Sequence, residues 1–263
     1  MDPRERHKFI LDELSQKGIL SVKHFANSLE VSEMTVRRDI ALLEREDKVS
    51  TFYGGVSLHP NYNAELPPAQ NGNGFYSLER EFLRQRAEKN RIAQKAASLI
   101  EPLDVVLIDM GTTSSLMVDY ISDESNHIVY TYSLEVFDKC IHRKNLRTVL
   151  CGGYFHRNTR MFESPEGVAA LKRARFNKAF FGAMGITSND GVSSVHTYEV
   201  LTRRTALESS QKKILLADST KMDKAWYVKY AELSEFDILI TDDNIKAEHI
   251  RMLEDSGIEL IIV

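Results

Sequence analysis

Seven short apolar runs, at 104–108, 128–131, 148–151, 178–182, 213–217, 238–241 and 259–263, recur through the C-terminal part of the chain. Helical stretches such as 114–121, 133–142 and 198–210 lie between most of them. Strand–helix alternation of this kind predicts a largely parallel sheet covered by helices. Ligands of such sheets sit beyond the carboxyl ends of the strands, so the loops that follow the runs are where binding chemistry is expected.

The first 57 residues follow another pattern. Phe9, Ile10 and Leu14 fall at helical spacing over 4–16, and Lys17-Gly18 supplies a stop. Ser21 caps a short helix with Val22, Phe25, Ala26 and Leu29 on its apolar face. After a tight turn at Glu30 and Val31, Ser32 caps a third helix over 33–45, with Val36, Ile40 and Leu43 turned inward. Residues 48–52 and 56–58 read as a hairpin around Tyr53-Gly54-Gly55. Three helices and a hairpin predict a winged helix-turn-helix over 1–57. Pro60, Pro67, Pro68, Gly72 and Gly74 mark 58–76 as a linker. The expected fold is therefore α/β, with the winged domain joined to a larger, mostly parallel α/β domain over 77–263. A long amphipathic helix at 77–100 opens that second domain.

Charge narrows the functions available. The net charge is −4, and the first 57 residues hold nine Lys/Arg against ten Asp/Glu. Binding of nucleic acid by bulk positive charge is excluded, so DNA contact must rest on a few placed cations. Cys140 and Cys151 lack metal-ligand spacing, no run reaches the ~18 apolar residues of a membrane span, and no apolar stretch follows Arg4, Arg6 and Lys8. A cytoplasmic chain with reduced cysteines and no metal, cofactor or membrane partner is expected.

The second helix of a helix-turn-helix enters the major groove and meets base edges with its first residues. Ser21, Lys23, Ser32, Glu33, Met34, Thr35, Arg37, Arg38 and Tyr53 are the candidate DNA contacts. Arg37 or Arg38 can grip guanine bidentately or hold phosphate. A charged surface helix, in which Asp39 and Glu44 balance the arginines, is the competing reading. The wording Val31-Ser32-x-x-Thr35-Val36-Arg37-Arg38-Asp39-Ile40, with Gly54-Gly55-Val56 beyond it, closely resembles the N-terminal domain of the DeoR family of bacterial repressors. That resemblance implies a double-stranded operator as partner. Asp47, Thr51 and Tyr53 stand where the family usually has Gly, Arg and His, which removes two potential phosphate contacts from the wing.

In the second domain, Asp109-Met110-Gly111-Thr112-Thr113-Ser114-Ser115 follows an apolar run and opens a helix. Glycine, hydroxyls and helix N-terminal amides are the chemistry of a phosphate cradle. An ordinary strand–helix turn with Thr and Ser as caps fits the same residues. Tyr132, Gly152-Gly153, Gly182-Ala183-Met184-Gly185 and Asp218-Ser219-Thr220-Lys221 follow other runs and should reach the same edge. Glu199 and Arg203, one helical turn apart, suit either the rim of that edge or a surface ion pair.

This half resembles the DeoR-family sensor domain, which is related in fold to ribose-5-phosphate isomerase. The likeness rests on Glu88-Lys89-x-x-Ile92-Ala93, Asp109-x-Gly111-Thr112-Thr113, Gly152-Gly153, Phe180-x-Gly182-Ala183-x-Gly185-Ile186 and Ala217-Asp218-Ser219-x-Lys221. It implies a carbohydrate-operon regulator controlled by a phosphorylated sugar. Gly111, Thr112 and Thr113 would hold the phosphate, with Lys221 as a mobile cation near it. Asp109, Asp218 and Glu199 would accept from sugar hydroxyls, and Gly152 and Gly153 would complete the site. Tyr132, Ser164 and Asn177 depart from the family pattern, and Tyr132 would stack on the ligand or fill part of its pocket. A homodimer or homotetramer is expected, because one short recognition helix gives too little contact for a selective site. The rival functions are a sugar-phosphate isomerase using Asp218, Lys221 and Glu199 as acid/base groups, and a regulator that has lost its ligand.

Overall fold

The computed structural model describes residues 2–17, 20–46, 48–52, 55–58, 84–123 and 126–263. The chain divides into two units, Met1–Leu83 and Arg84–Val263. Residues 59–76 of the expected linker, and 77–83 of the helix expected after it, lie outside the described residues.

The first unit holds α1 (Pro3–Lys17), α2 (Val22–Leu29), α3 (Glu33–Arg45) and the antiparallel strands β1 (Val49–Phe52) and β2 (Gly55–Leu58). Ser21 and Ser32 cap α2 and α3, each accepting from a backbone amide three residues on. Glu30, left-handed at φ 53°, closes α2 and sends its amide to Ala26 and Asn27. Ile10, Leu14, Phe25, Val36, Ile40, Leu43, Val49 and Val56 form one buried core. Each such side chain contributes about 1.5–3 kcal/mol by leaving water. Leu20 exchanges two backbone hydrogen bonds with Val56, 3.0 and 2.8 Å, and so ties the turn before α2 to the wing.

The second unit is built on a seven-stranded parallel sheet. Its strands are β3 (Val105–Ile108), β4 (His127–Thr131), β5 (Leu146–Leu150), β8 (Phe176–Gly182), β11 (Ser210–Leu216), β13 (Ile238–Thr241) and β14 (Glu259–Ile262), in the order β14-β13-β11-β8-β3-β4-β5. Alternate residues feed opposite faces. Val106, Ile108, Phe180 and Ile214 pack with α4 (Arg86–Ala97), α5 (Thr112–Met117) and α6 (Leu134–Ile141). Leu107, Phe181 and Leu215 pack on the other side with α7 (Pro165–Arg173), α8 (Tyr198–Glu208) and α9 (Ala247–Asp255). Burial on both faces explains why these strands read as near-continuous apolar runs.

Two smaller pieces stand outside the sequence pattern. One is an antiparallel sheet of β9 (Gly185–Thr187), β10 (Gly191–Ser194) and β12 (Val228–Ala231). The other is a hairpin of β6 (Tyr154–His156) and β7 (Met161–Glu163). Helix α4 is shorter than expected: it begins at Arg86 and ends at Ala97, with Leu99 and Ile100 in the following turn packed against the core. Two of the unusual residues have local structural roles. Ser164 caps α7 by accepting from Gly167 and donates to the Gly152 carbonyl. Asn177 accepts from the Val105 amide at 2.9 Å.

Chain order places the site. From β3 the chain moves outward through β4 and β5, returns to β8 beside β3, then moves outward through β11, β13 and β14. The switch point, where such sheets bind ligands, lies beyond the carboxyl ends of β3 and β8. The residues there are Asp109 and Gly182.

Candidate functional site

In the first unit, α3 presents Glu33, Met34, Arg37 and Arg38 as exposed residues, with Met34 61% exposed. Ser21, Lys23 and Ser32 are exposed as well, and Thr35 is half-buried with its hydroxyl 2.9 Å from Ser32 Oγ. Tyr53 lies outside the described residues. The balancing role considered for Asp39 and Glu44 does not hold. Asp39 is 4% exposed and accepts from Arg6 and His7 of α1. Glu44 accepts from the amide and hydroxyl of Thr51 in β1. Arg37 meets Glu33 at a loose 3.9 Å, and among the described residues no carboxylate pairs with Arg38. Both guanidinium groups are available to a phosphate or a guanine edge.

In the second unit, Asp109 anchors a buried polar network. Its Oδ1 accepts from Tyr132 Oη at 2.6 Å, and its Oδ2 accepts from the Gly182 amide at 3.0 Å and pairs with Arg203 at 2.9 Å. Arg203 donates to Ser194 Oγ at 2.9 Å and lies 3.4 Å from Glu199 Oε2, while Ser194 donates to Glu199. The guanidinium sits 4.6 Å from the ring centre of Tyr230, whose hydroxyl donates to the Gly182 carbonyl at 2.7 Å. All three charged groups are buried: Asp109 at 0%, Glu199 at 1% and Arg203 at 4% exposure. Burial works against the Arg203 charge, yet Asp109 and Glu199 outweigh it and hold its pKa well above the ordinary value. Burial pushes the Glu199 carboxyl up, more than Arg203 and Ser194 draw it down.

Beside this network the chain turns into α5. Gly111 has φ +121° and ψ 165°, a conformation open to glycine alone. A Cβ built there would meet nothing within 4 Å. No side chain caps α5, and the Ser114 hydroxyl, fully buried, has no hydrogen-bond partner. The backbone here therefore borders open space with uncapped amides.

The expected effector residues separate into three groups. Asp109, Tyr132 and Glu199 join through Arg203, with Gly111, Thr112 and Thr113 following Asp109 along the chain. Asp218 follows β11, two strands from β3, and accepts from the amide and hydroxyl of Thr220. Lys221, expected to be mobile, is 8% exposed. Gly152 and Gly153 follow edge strand β5. Gly153, at φ +147°, lies where a Cβ would come within 2.3 Å of the Glu163 carbonyl, so its role includes close packing on the hairpin. Tyr132 is 0% exposed, packs within the core and donates to Asp109. Glu199 and Arg203 do not form the surface pair weighed as an alternative, because both lie on the inward stripe of α8.

Arg203 as a partner of Asp109, together with Ser194 and Tyr230, was not expected from the sequence. A groove of about 550 Å³ lined by Ser188, Leu233, Arg251 and Met252 contains none of the expected residues. Among the described residues, Asp223, Glu248 and His249 bring three metal-type donors together. His249 Nδ1, however, is buried without a partner, whereas a metal-ligating imidazole normally holds its second nitrogen on an acceptor. The trio is better described by the His249–Asp223 hydrogen bond at 2.7 Å. Burial raises both cysteine thiols to about 11, which leaves them unreactive.

The hairpin is latched to α8 by a ring stack. His156 lies 3.6 Å from Tyr198 and His196 4.9 Å from it, both nearly parallel. Asn158 Oδ1 accepts from the Thr159 amide and from Tyr198 Oη, so its Nδ2 faces His196 Nε2 at 2.9 Å. That nitrogen must therefore accept, which makes His196 neutral. Burial, and then His156, lower its pKa below the ordinary value; burial lowers His127 likewise, against Asp104. Below about pH 6.5 the unfolded chain takes up protons that the folded domain refuses, so stability falls as pH drops through that value toward the lowered pKa. The melting temperature of the sensor unit should fall between pH 7.5 and 5.5, and less steeply in H196Q. Parallel pH profiles would remove His196 from this role.

Residues 84–243 match the family model of the DeoR C-terminal sensor domain, and residues 6–60 match that of the DeoR-like helix-turn-helix domain. The deoxyribose operon repressor of Escherichia coli (strain K12) is 29% identical over 257 residues, covering 98% of this chain and 97% of that one. The HTH-type transcriptional repressor GlcR of Bacillus subtilis (strain 168) is 28% identical over 262 residues, covering 100% and 97%. The HTH-type transcriptional regulator IolR of the same organism is 27% identical, covering 94% and 92%. Among solved structures, ribose 5-phosphate isomerase A from Methanocaldococcus jannaschii aligns at 14% identity with a TM-score of 0.38, over 51% of this chain and about half, 53%, of that one.

Proposed function

Because the chain belongs to the DeoR family of bacterial transcriptional regulators and carries both of its domains, we propose that it represses an operon of carbohydrate metabolism under the control of a small phosphorylated sugar or related metabolite. It is a DNA-binding regulator, and α3 is its reading helix. The repressor role rests on relatives named as repressors, and the sugar class on the one named for a deoxyribose operon. The observation that carries the effector site is the uncapped turn at Gly111–Thr113 beside the unpartnered Ser114 hydroxyl, at the switch point of the sheet. Backbone amides and hydroxyls there suit a phosphate. Two carboxyls, Asp109 and Glu199, face one guanidinium, Arg203, so the phosphate belongs on the amide side and sugar hydroxyls on the carboxyl side.

The sensor domain binds without turnover in this reading. Glu199 is engaged by Arg203 and Ser194, and Asp218 by Thr220, so neither is poised as an acid or base. The protein acts in the cytoplasm as a homo-oligomer that presents paired recognition helices to paired half-sites. Among the described residues no helix is long and apolar enough to cross a membrane.

The site is tested by titrating operator binding with hexose and pentose phosphates, wild type beside the T112A/T113A double variant. The variant should keep its DNA affinity and lose the metabolite response by tenfold or more in midpoint. Equal midpoints would remove the phosphate from this turn.

A further inference from the structure

The reading helix carries a carboxylate on its inner side. Asp39 lies between the exposed Arg38 and the buried Ile40, is itself 4% exposed, and faces the other helices of the unit. Two side chains of α1 converge on it. Arg6 donates from Nε to Oδ2 at 2.7 Å and from Nη2 to Oδ1 at 3.1 Å, and His7 Nε2 lies 3.1 Å from Oδ1. A bidentate guanidinium–carboxylate pair fixes distance and orientation together, which apolar packing alone does not. At the far end of the same helix, Glu44 holds Thr51 of the wing. The helix is thus fixed by polar contacts at two points along its length.

We propose that Asp39 is a positioning residue for DNA recognition, and that the Arg6–Asp39 clamp sets the rotation and axial placement of α3 from which Arg37 and Arg38 address the bases. Asp39 touches no DNA; it acts through the helix that does. Base readout demands side chains held to within about half an ångström of their productive geometry, and such precision comes from supporting contacts behind the reading face. An ion pair with a buried carboxylate suits this task, since setting register and orientation is the best-attested use of such pairs. The proposal rests on α3 being the DNA reader.

Electrostatics and positioning predict opposite signs, which makes the clamp testable. Asp39→Asn removes a negative charge from behind the reading face, so long-range electrostatics alone would strengthen binding to every duplex. Loss of positioning instead weakens binding only where bases are read. The probes are the duplex that the wild-type chain selects from a random-sequence library and a scrambled duplex of the same length. Affinities of the full-length wild type, D39N and R6K are measured at several salt concentrations, at a temperature where melting curves show each reader domain folded. D39N is expected to bind the selected duplex at least tenfold more weakly, while its affinity for the scrambled duplex is unchanged or rises. R6K keeps the charge and loses the two-pronged geometry, and is expected to lose part of the same ratio. If D39N does not fold, R6K decides alone. An unchanged ratio of selected to scrambled affinity, or a parallel shift on both duplexes, overturns the proposal. A wild type that selects no sequence at all would instead refute the reading helix itself.

Discussion

Replacing Arg203 with methionine is expected to destabilise the sensor domain by about 3–5 kcal/mol, because it leaves two buried carboxylates without their counter-ion. Asp109 and Glu199 are each at most 1% exposed, and Arg203 meets both. For a domain of this size the loss corresponds to a fall in melting temperature of roughly 10 °C. The effect should shrink on acidification. Burial already raises the Glu199 carboxyl and Arg203 draws it down, so without the guanidinium it moves further up; the penalty is full above that raised pKa and fades as pH falls toward the unfolded range near 4. Adding D109N to R203M should restore part of the loss, since it removes one orphaned charge. Urea unfolding at pH 7.5 and 5 checks both statements. A change within 1 kcal/mol at pH 7.5 would mean that water or other groups neutralise the site.

The second large effect belongs to the reader. An Arg37→Ala, Arg38→Ala double variant is expected to lose about 2–6 kcal/mol of operator binding if each arginine reads a base bidentately, at about 1–3 kcal/mol apiece. That is a rise in Kd of roughly 30- to 10⁴-fold. Arginines holding phosphate alone would weaken all sequences alike, and each lost contact would flatten the salt dependence by about 0.9 in log–log slope. Fluorescence anisotropy across a salt series separates the two cases. Operator affinity within a factor of two of wild type would remove both arginines from the interface. Among the described residues, Arg38 has no ion pair and Arg37 only a loose one, so neither loss would be offset by relief of a strong internal contact.

The parts of this protein that were legible in its sequence are those set by local pattern. Val36, Ile40 and Leu43 are buried as their spacing predicts, Ser21 and Ser32 cap their helices, and the seven apolar runs are the seven parallel strands. What the sequence reading missed is mostly non-local. Asp109 and Arg203 meet across 94 positions, and nothing in the alternation of strands and helices marks that pairing. Strands β9, β10 and β12 and the β6–β7 hairpin are three or four residues long and are defined by their partners rather than by alternation. Two signals were present but overridden by polarity. Asp39 shares the inward stripe of α3 with Val36, Ile40 and Leu43, and Glu199 and Arg203 share that of α8 with Thr202, Ala206 and Leu207. A charged residue on a buried stripe marks an internal ion pair, and reading those positions as surface charge hid both the Arg6–Asp39 clamp behind α3 and the Asp109–Arg203–Glu199 network.

In the function proposed, a phosphorylated small molecule bound in the sensor domain sets the affinity of the reader for a defined DNA sequence. Ligand must favour one conformation over another for this to happen. The most direct measurement is the Kd of the full-length chain for its library-selected duplex, taken in the presence of a panel of sugar phosphates and of each dephosphorylated counterpart at equal concentration. At least one sugar phosphate is expected to change that Kd by tenfold or more, while its dephosphorylated partner leaves it unchanged. Equal effects from both members of every pair, or no effect from any, would contradict it.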